Sequence, residues 1–221
     1  MLTPYDWQEG IGNRAQYVEA RLGSGAPVLS LSLEEGILLY TFRRQSAKLY
    51  EVYDRIAFAA IGQQSDVEAI RIAAVEFAHR EGFQRSEDDV TIARLVAAVS
   101  SPLKQAFGGF NNAPFVARSL FVELGSAVID DKFYIVDYDG DYRQSEGGAI
   151  LVGAGEPDLA DLFALDRTRP AADLIPDLRE LWQKIMDPEG ERAEEVFADL
   201  RPEAMLLERN SPRESIFRTL L

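Results

Sequence analysis

The sequence predicts an α+β fold in which two packed sheets carry helices on both outer faces. Three observations lead to it. The hydrophobic period alternates between two residues and three-to-four, in the order strands, two helices, strands, two helices, strand. The chain has 221 residues, 47% of them hydrophobic, and no internal repeat or Pro/Ser-rich linker divides it, so one sizeable core is expected across 1–221. Each apolar stripe needs a cover, and a sheet-on-sheet sandwich with outer helices covers all of them.

Trp7, Ile11, Ala15, Val18 and Leu22 recur at spacings of three and four, a helical stripe whose firm part is expected from Asn13 because Gly10 and Gly12 weaken its start. After Gly23 and Gly25 the period becomes two. Leu29, Leu31 and Leu33 alternate with Ser30 and Ser32, which predicts a strand with one buried face. Glu34-Glu35-Gly36 turns the chain into a return strand over 37–42. Two further strands, 48–52 and 55–61, are joined at Tyr53-Asp54. A helix over 66–80 places Val67, Ile70, Ala74 and Phe77 on one side. Ser86 and Asp89 have capping-box spacing for the next helix, whose stripe is Ile92, Val96, Val99 and Leu103 and whose end is Gly108-Gly109. Strands are expected over 115–124, 133–138, near Tyr142 and over 149–152. Glu156-Pro157 is expected to open a helix, a second one runs over 171–186, and 204–207 and 216–221 close the chain.

Charge and composition narrow the function. The net charge of −14 and pI of about 4.5 disfavour a phosphate backbone as partner, so no nucleic acid is expected. With no Cys and one His, disulfides, Cys-rich zinc sites, a Cys nucleophile and His-based triads are excluded. The N-terminus shows no basic and apolar leader, and the longest apolar run, 56–61, is far short of the ~20 residues that span a bilayer. The expectation is a cytoplasmic protein with no membrane contact.

Several short motifs have plain structural readings. Gly153-Ala154-Gly155 lacks the full dinucleotide pattern and is followed by Glu156, so a turn is expected rather than a phosphate site. Asp137, Asp139 and Asp141 surround Gly140, but the spacing of the calcium loop and its final Glu are missing; Asp139-Gly140 reads as a hairpin turn. His79 stands alone without a second ligand or a nucleophile. The acidic stretch 189–199 reads as a solvated face. Lys48 differs: it is one of four lysines against nineteen arginines, at the start of a strand, where edge protection competes with a functional role.

Lys48-Leu49-Tyr50-Glu51-Val52-Tyr53-Asp54-Arg55-Ile56-Ala57-Phe58-Ala59-Ala60-Ile61-Gly62 closely resembles the matching segment of actinobacterial-type proteasome α subunits. Asp88-Asp89-Val90-Thr91 resembles their helix opening, Ala113-Pro114-Phe115-Val116 the approach to the next central strand, and the segment from Ala204 to Arg213 their closing strand and turn. The resemblance covers most of the chain and is most specific through about residue 125. It implies a four-layer αββα sandwich, the N-terminal nucleophile hydrolase fold, with 1–24 as gate segment and α-type N-terminal helix and 25–221 as the sandwich. It further implies a seven-membered ring, β-subunit partners that cleave unfolded protein substrates with an N-terminal threonine, and no cofactor or metal.

Chemistry separates α from β. A β subunit needs a threonine, freed at the start of the first strand, whose own amine serves as base. Counting back from the Glu34-Glu35-Gly36 turn, that position is Ala26, and the family's acidic residue falls at Phe42, so only Lys48 of the catalytic set is present. The resemblance therefore implies a non-catalytic α subunit. It also implies an activator-docking pocket of Lys48, Gly25 and Gly62, which would receive the C-terminal tail of a ring-shaped ATPase or other activator, and a gate around Tyr5 and Asp6 ahead of the first helix. Two alternatives stay open: a self-processing amidohydrolase using Ser24, and a proteasome-like homo-oligomer without β partner.

Overall fold

A computed structural model describes residues 4–109, 113–190 and 197–221. The elements in chain order are helix α1 (Pro4–Leu22), strands β1 (Val28–Ser32), β2 (Gly36–Arg43), β3 (Leu49–Tyr53) and β4 (Ile56–Gly62), then helices α2 (Gln64–Gln84) and α3 (Ile92–Gly108). Strands β5 (Ala117–Glu123), β6 (Lys132–Val136), β7 (Tyr142–Ser145) and β8 (Gly148–Leu151) follow, then α4 (Ala160–Phe163), α5 (Ile175–Met186), β9 (Arg201–Glu208) and β10 (Phe217–Thr219).

The strands form two antiparallel sheets, ordered β10-β9-β2-β1-β8 and β3-β4-β5-β6-β7. Three cores separate four layers. Val28, Ile37, Leu39, Ala57, Ala59, Leu120 and Val122 lie between the sheets. Phe58, Phe121, Ile70, Ala74, Leu95 and Val99 join the second sheet to α2 and α3. Leu29, Leu31, Leu38, Tyr40, Phe42, Leu178 and Trp182 join the first sheet to α5. The expected αββα sandwich is the observed one.

Central strands in this arrangement are covered on both faces, which corrects the reading of β1. Ser30 and Ser32 were expected on a solvent face, yet every residue of Val28–Ser32 is buried, because the second sheet covers the serine side. Four boundaries also shift. Helix α1 starts at Pro4 and runs through Gly10 and Gly12, so Tyr5 and Asp6 lie inside its first turns and not ahead of it. On α2 the buried face is Val67, Ile70, Ala74 and Ala78, with Phe77 half-buried beside it. Ser86 caps only the 3₁₀ turn Glu87–Asp89, and α3 begins after Thr91. Glu156-Pro157 opens no helix; α4 starts at Ala160 and α5 follows a 3₁₀ turn at Ala171–Leu174. Part of the acidic stretch, 191–196, lies outside the described residues.

The lesser motifs resolve into local structure. Gly153 passes so close to the end of α1 that a Cβ would sit 1.8 Å from the Leu22 carbonyl oxygen, so the Gly-rich turn is a contact between loop and helix. Asp137 is committed to Arg118 at 2.8 Å, and the Asp139 carboxylate accepts the Asp141 N–H at 2.9 Å around Gly140, whose φ is +86°. No group of three or more ligand-type side chains that could hold a metal occurs among the described residues. His79 is exposed and edge-on to the Tyr53 ring.

Candidate functional site

An open cleft of about 1230 Å³ lies where the ends of β2, β4 and β9 meet the link from α1 to β1. Lys48, Gly25 and Gly62, which the family resemblance implies as one pocket, all line it, as do Ser24 and Ala26. Backbone contacts bring them together. Gly62 ends β4 with φ +142°, and a Cβ there would lie 2.1 Å from the Val116 carbonyl oxygen, so only glycine fits. Gly25 faces β4 just as tightly, since its Cβ would meet Ile61 Cγ2 at 1.9 Å.

The Ala26-Pro27 link is held firmly. The buried Pro27 carbonyl accepts from both Thr41 Oγ1 and the Trp182 indole N–H, each at 2.7 Å. Phe42, beside Thr41 on β2, points to the opposite side of the first sheet, where its ring packs 4.4 Å from that of Trp182. At the start of the first strand the chain therefore presents a methyl group, at Ala26. Ser24 is exposed in the turn two residues earlier.

Lys48 sits half-buried immediately before β3 and donates from Nζ to the Ala26 carbonyl oxygen at 2.7 Å, the only hydrogen bond of its ammonium among the described residues. An ammonium carries three donors, so two are unused among the described residues. Burial lowers the Lys48 pKa to about 8, with the nearby Glu203 carboxylate pulling it back upward. Glu203, on β9, is the carboxylate that sequence reasoning missed. Its oxygens accept the Lys48 and Leu49 backbone N–H groups at 3.0 and 3.5 Å, and Arg43 lies 3.8 Å away. Nothing local in the sequence signals this pairing across 155 positions; only the β2–β9 ladder brings it about.

Tyr5 and Asp6 lie on the exposed start of α1, away from these groups in sequence and absent from the cleft lining. The second half of the helix is anchored. Val18 and Leu22 enter the inter-sheet core, Arg14 donates to the Ala106 carbonyl at 2.8 Å, and Glu19 accepts the Tyr138 hydroxyl at 3.0 Å. Burial, and then that acceptor, push the Tyr138 pKa upward.

An αββα sandwich with a lysine before β3 and a methyl group ahead of β1 defines a class: the N-terminal nucleophile hydrolase architecture without a nucleophile at its opening strand. No protein-family model matches the sequence. Among curated proteins, the proteasome subunit alpha of Jonesia denitrificans is 31% identical, covering 94% of this chain and 89% of its own length. Those of Streptomyces griseus and Streptomyces coelicolor are 28% and 26% identical over the whole of this chain and 82% and 87% of theirs. The chain belongs to the proteasome α subunit family, the non-catalytic outer-ring subunits of that particle.

Proposed function

We propose that this chain forms the seven-membered outer ring of a cytoplasmic proteasome core particle, and that its Lys48 cleft docks the C-terminal carboxylate of a ring-shaped ATPase or other activator. The observation that carries this reading is the half-buried Lys48 ammonium, whose one hydrogen bond goes to a neutral carbonyl and whose other donors are unused among the described residues. A carboxylate supplies the missing acceptors and charge. Gly25 and Gly62 line the same cleft, where a side chain would strike Ile61 at the one and the Val116 carbonyl at the other. Residues 1–24 act as gate segment and N-terminal helix, with Tyr5 and Asp6 on the gate, and 25–221 form the sandwich domain. Partner β subunits cleave the unfolded protein substrates. Ala26, at the place where those subunits carry threonine, offers no hydroxyl to attack a peptide bond.

The test is co-expression with a candidate β subunit, followed by size measurement, a small-peptide hydrolysis assay and an activator-driven protein degradation assay. Lys48→Ala is expected to leave assembly and small-peptide hydrolysis unchanged and to abolish activator-driven degradation. A parallel fall in small-peptide hydrolysis would overturn the docking reading. The purified chain is expected at its intact 24.6 kDa. A shorter species beginning at Ser24 would instead establish self-processing.

A further inference from the structure

The mouth of the Lys48 cleft carries a charge arrangement that the fold does not explain. Arg43 and Arg201 are directly opposed across the antiparallel β2–β9 ladder. Like charges in that relation destabilise a sheet. Glu203 approaches only Arg43, at 3.8 Å, and Arg43 also donates to the Gln45 carbonyl at 2.9 Å. Arg201 and its neighbour at the mouth, Arg44, are both exposed and make no side-chain hydrogen bond or ion pair among the described residues. Among the described residues of the cleft lining, Arg43, Arg44, Lys48 and Arg201 outnumber the one acid, Asp199, with Glu203 nearby on the Lys48 and Leu49 backbone N–H groups. This is a cationic mouth on a protein of net charge −14.

We propose that Arg44 and Arg201 recognise acidic side chains just upstream of the docked carboxylate, so that this cleft selects activator tails carrying Glu or Asp before their final residues. The proposal rests on the docking of a C-terminal carboxylate at Lys48 and adds a determinant of specificity to it. Burial supports the order. Lys48 is the half-buried group, suited to the chain terminus, whereas Arg44 and Arg201 are exposed, where the preceding residues of a tail must pass as they leave for solvent. A guanidinium offers a planar fork of donors to a carboxylate, so short acidic side chains fit it well. An anion between or beside Arg43 and Arg201 offsets the opposition of their like charges.

The experiment uses the assembled protein and fluorescein-labelled peptides in fluorescence anisotropy. One peptide ends Gly-Glu-Asp-Glu-Ala-Leu and the other Gly-Gln-Asn-Gln-Ala-Leu, each made with a free and with an amidated C-terminus. The wild type is expected to bind the acidic free-carboxylate peptide about fivefold more tightly than the neutral one at low salt, the size expected of two exposed charge pairs. High salt is expected to erase the difference. R44Q/R201Q should bind both free-carboxylate peptides equally and still reject the amidated ones, and its thermal stability should match or exceed the wild type because the opposed charges are gone. Equal binding of acidic and neutral peptides by the wild type, or a preference that survives in R44Q/R201Q, would overturn this proposal and leave carboxylate docking standing. Indifference of the wild type to amidation, or no binding of any peptide, would overturn the docking reading itself. Displacement of the acidic peptide by oligothymidylate at lower concentration than by unlabelled acidic peptide would show that the arginines serve a phosphate backbone instead.

Discussion

The two ends of β1 hold buried charge in opposite ways. At the Ser32 end, Asp131 is fully occupied. Its oxygens accept from Arg209 at 2.8 and 2.9 Å, from the Gly125 N–H at 2.9 Å and from the Ser32 hydroxyl, while Arg209 also donates to the Gly125 and Leu33 carbonyls. Both side chains of that pair are almost wholly inaccessible. At the Val28 end, the Lys48 ammonium makes one hydrogen bond among the described residues, to a carbonyl, and opens onto a cleft where Arg44 and Arg201 make no ion pair among those residues. Charge that is satisfied within the chain stitches the sandwich together. Charge that is only partly satisfied is available to a partner, and the molecule tolerates the cost of keeping it so.

The largest expected effect breaks the closed end. Asp131→Asn strands the Arg209 guanidinium in the interior, a loss of about 3–5 kcal/mol. For a chain of this size that lowers the melting temperature by about 10 °C, measurable by circular dichroism. Replacing both partners, as in Asp131→Leu with Arg209→Met, should recover part of the loss but not all, since the Gly125 and Leu33 carbonyls lose their donors. If Asp131→Asn melts like wild type, the two ends are not energetically different.

Next in size is the open end. Lys48→Ala should cost about 2–5 kcal/mol of activator binding where the carboxylate is well buried, with a change in melting temperature of no more than a few degrees. A destabilisation as large as that of Asp131→Asn would show that Lys48 is a structural residue and would collapse the comparison.

A smaller effect is pH dependence. The Lys48 charge is lost as pH rises through about 8, so carboxylate docking should weaken between pH 7 and 9.5. Lys48→Arg, which keeps its charge, should dock with little change across that range. Stability moves the other way. The unfolded chain holds this proton to its ordinary value of 10.5, so between about 8 and 10.5 the unfolded state binds more protons and folding becomes more favourable with rising pH. Binding and melting curves at pH 7, 8 and 9.5 check both signs.

The smallest effect separates the two halves of α1. Val18 and Leu22 are fully buried, whereas Trp7 is 50% exposed and Tyr5 83% exposed. Deleting 1–22 would therefore remove core as well as surface. Trp7→Ser is the cleaner change: it should leave the melting of the isolated chain within about 0.5 kcal/mol of wild type and weaken the ring-sized oligomer in size-exclusion chromatography with light scattering. An unchanged oligomer would remove the first half of α1 from assembly.

How much of this was legible in the sequence follows from the range of the forces involved. Periods of two and of three-to-four located nearly every strand and helix, because period is a property of neighbours in the chain. It failed at Glu156-Pro157, where a tolerated first-turn proline was not matched by an apolar stripe, and at Ser86, whose cap serves a 3₁₀ turn. The alternation in β1 was legible but its meaning was not. Ser30 and Ser32 are buried because the second sheet lies over them, and the alternation within β1 does not say that this sheet covers its serine face.

The sequence by itself determined the two sheets, the apolar faces of their helices, the methyl group at Ala26 and a lysine before the third strand. The tertiary structure alone decided that Glu203 takes the backbone N–H groups beside that lysine, that Arg201 opposes Arg43, and that one helical stripe is half core and half surface. Those relations depend on the spatial order β10-β9-β2-β1-β8, which places the last long strand beside the second. Local propensity acts over a few residues, whereas the pairing of distant strands is settled by the burial of the whole core.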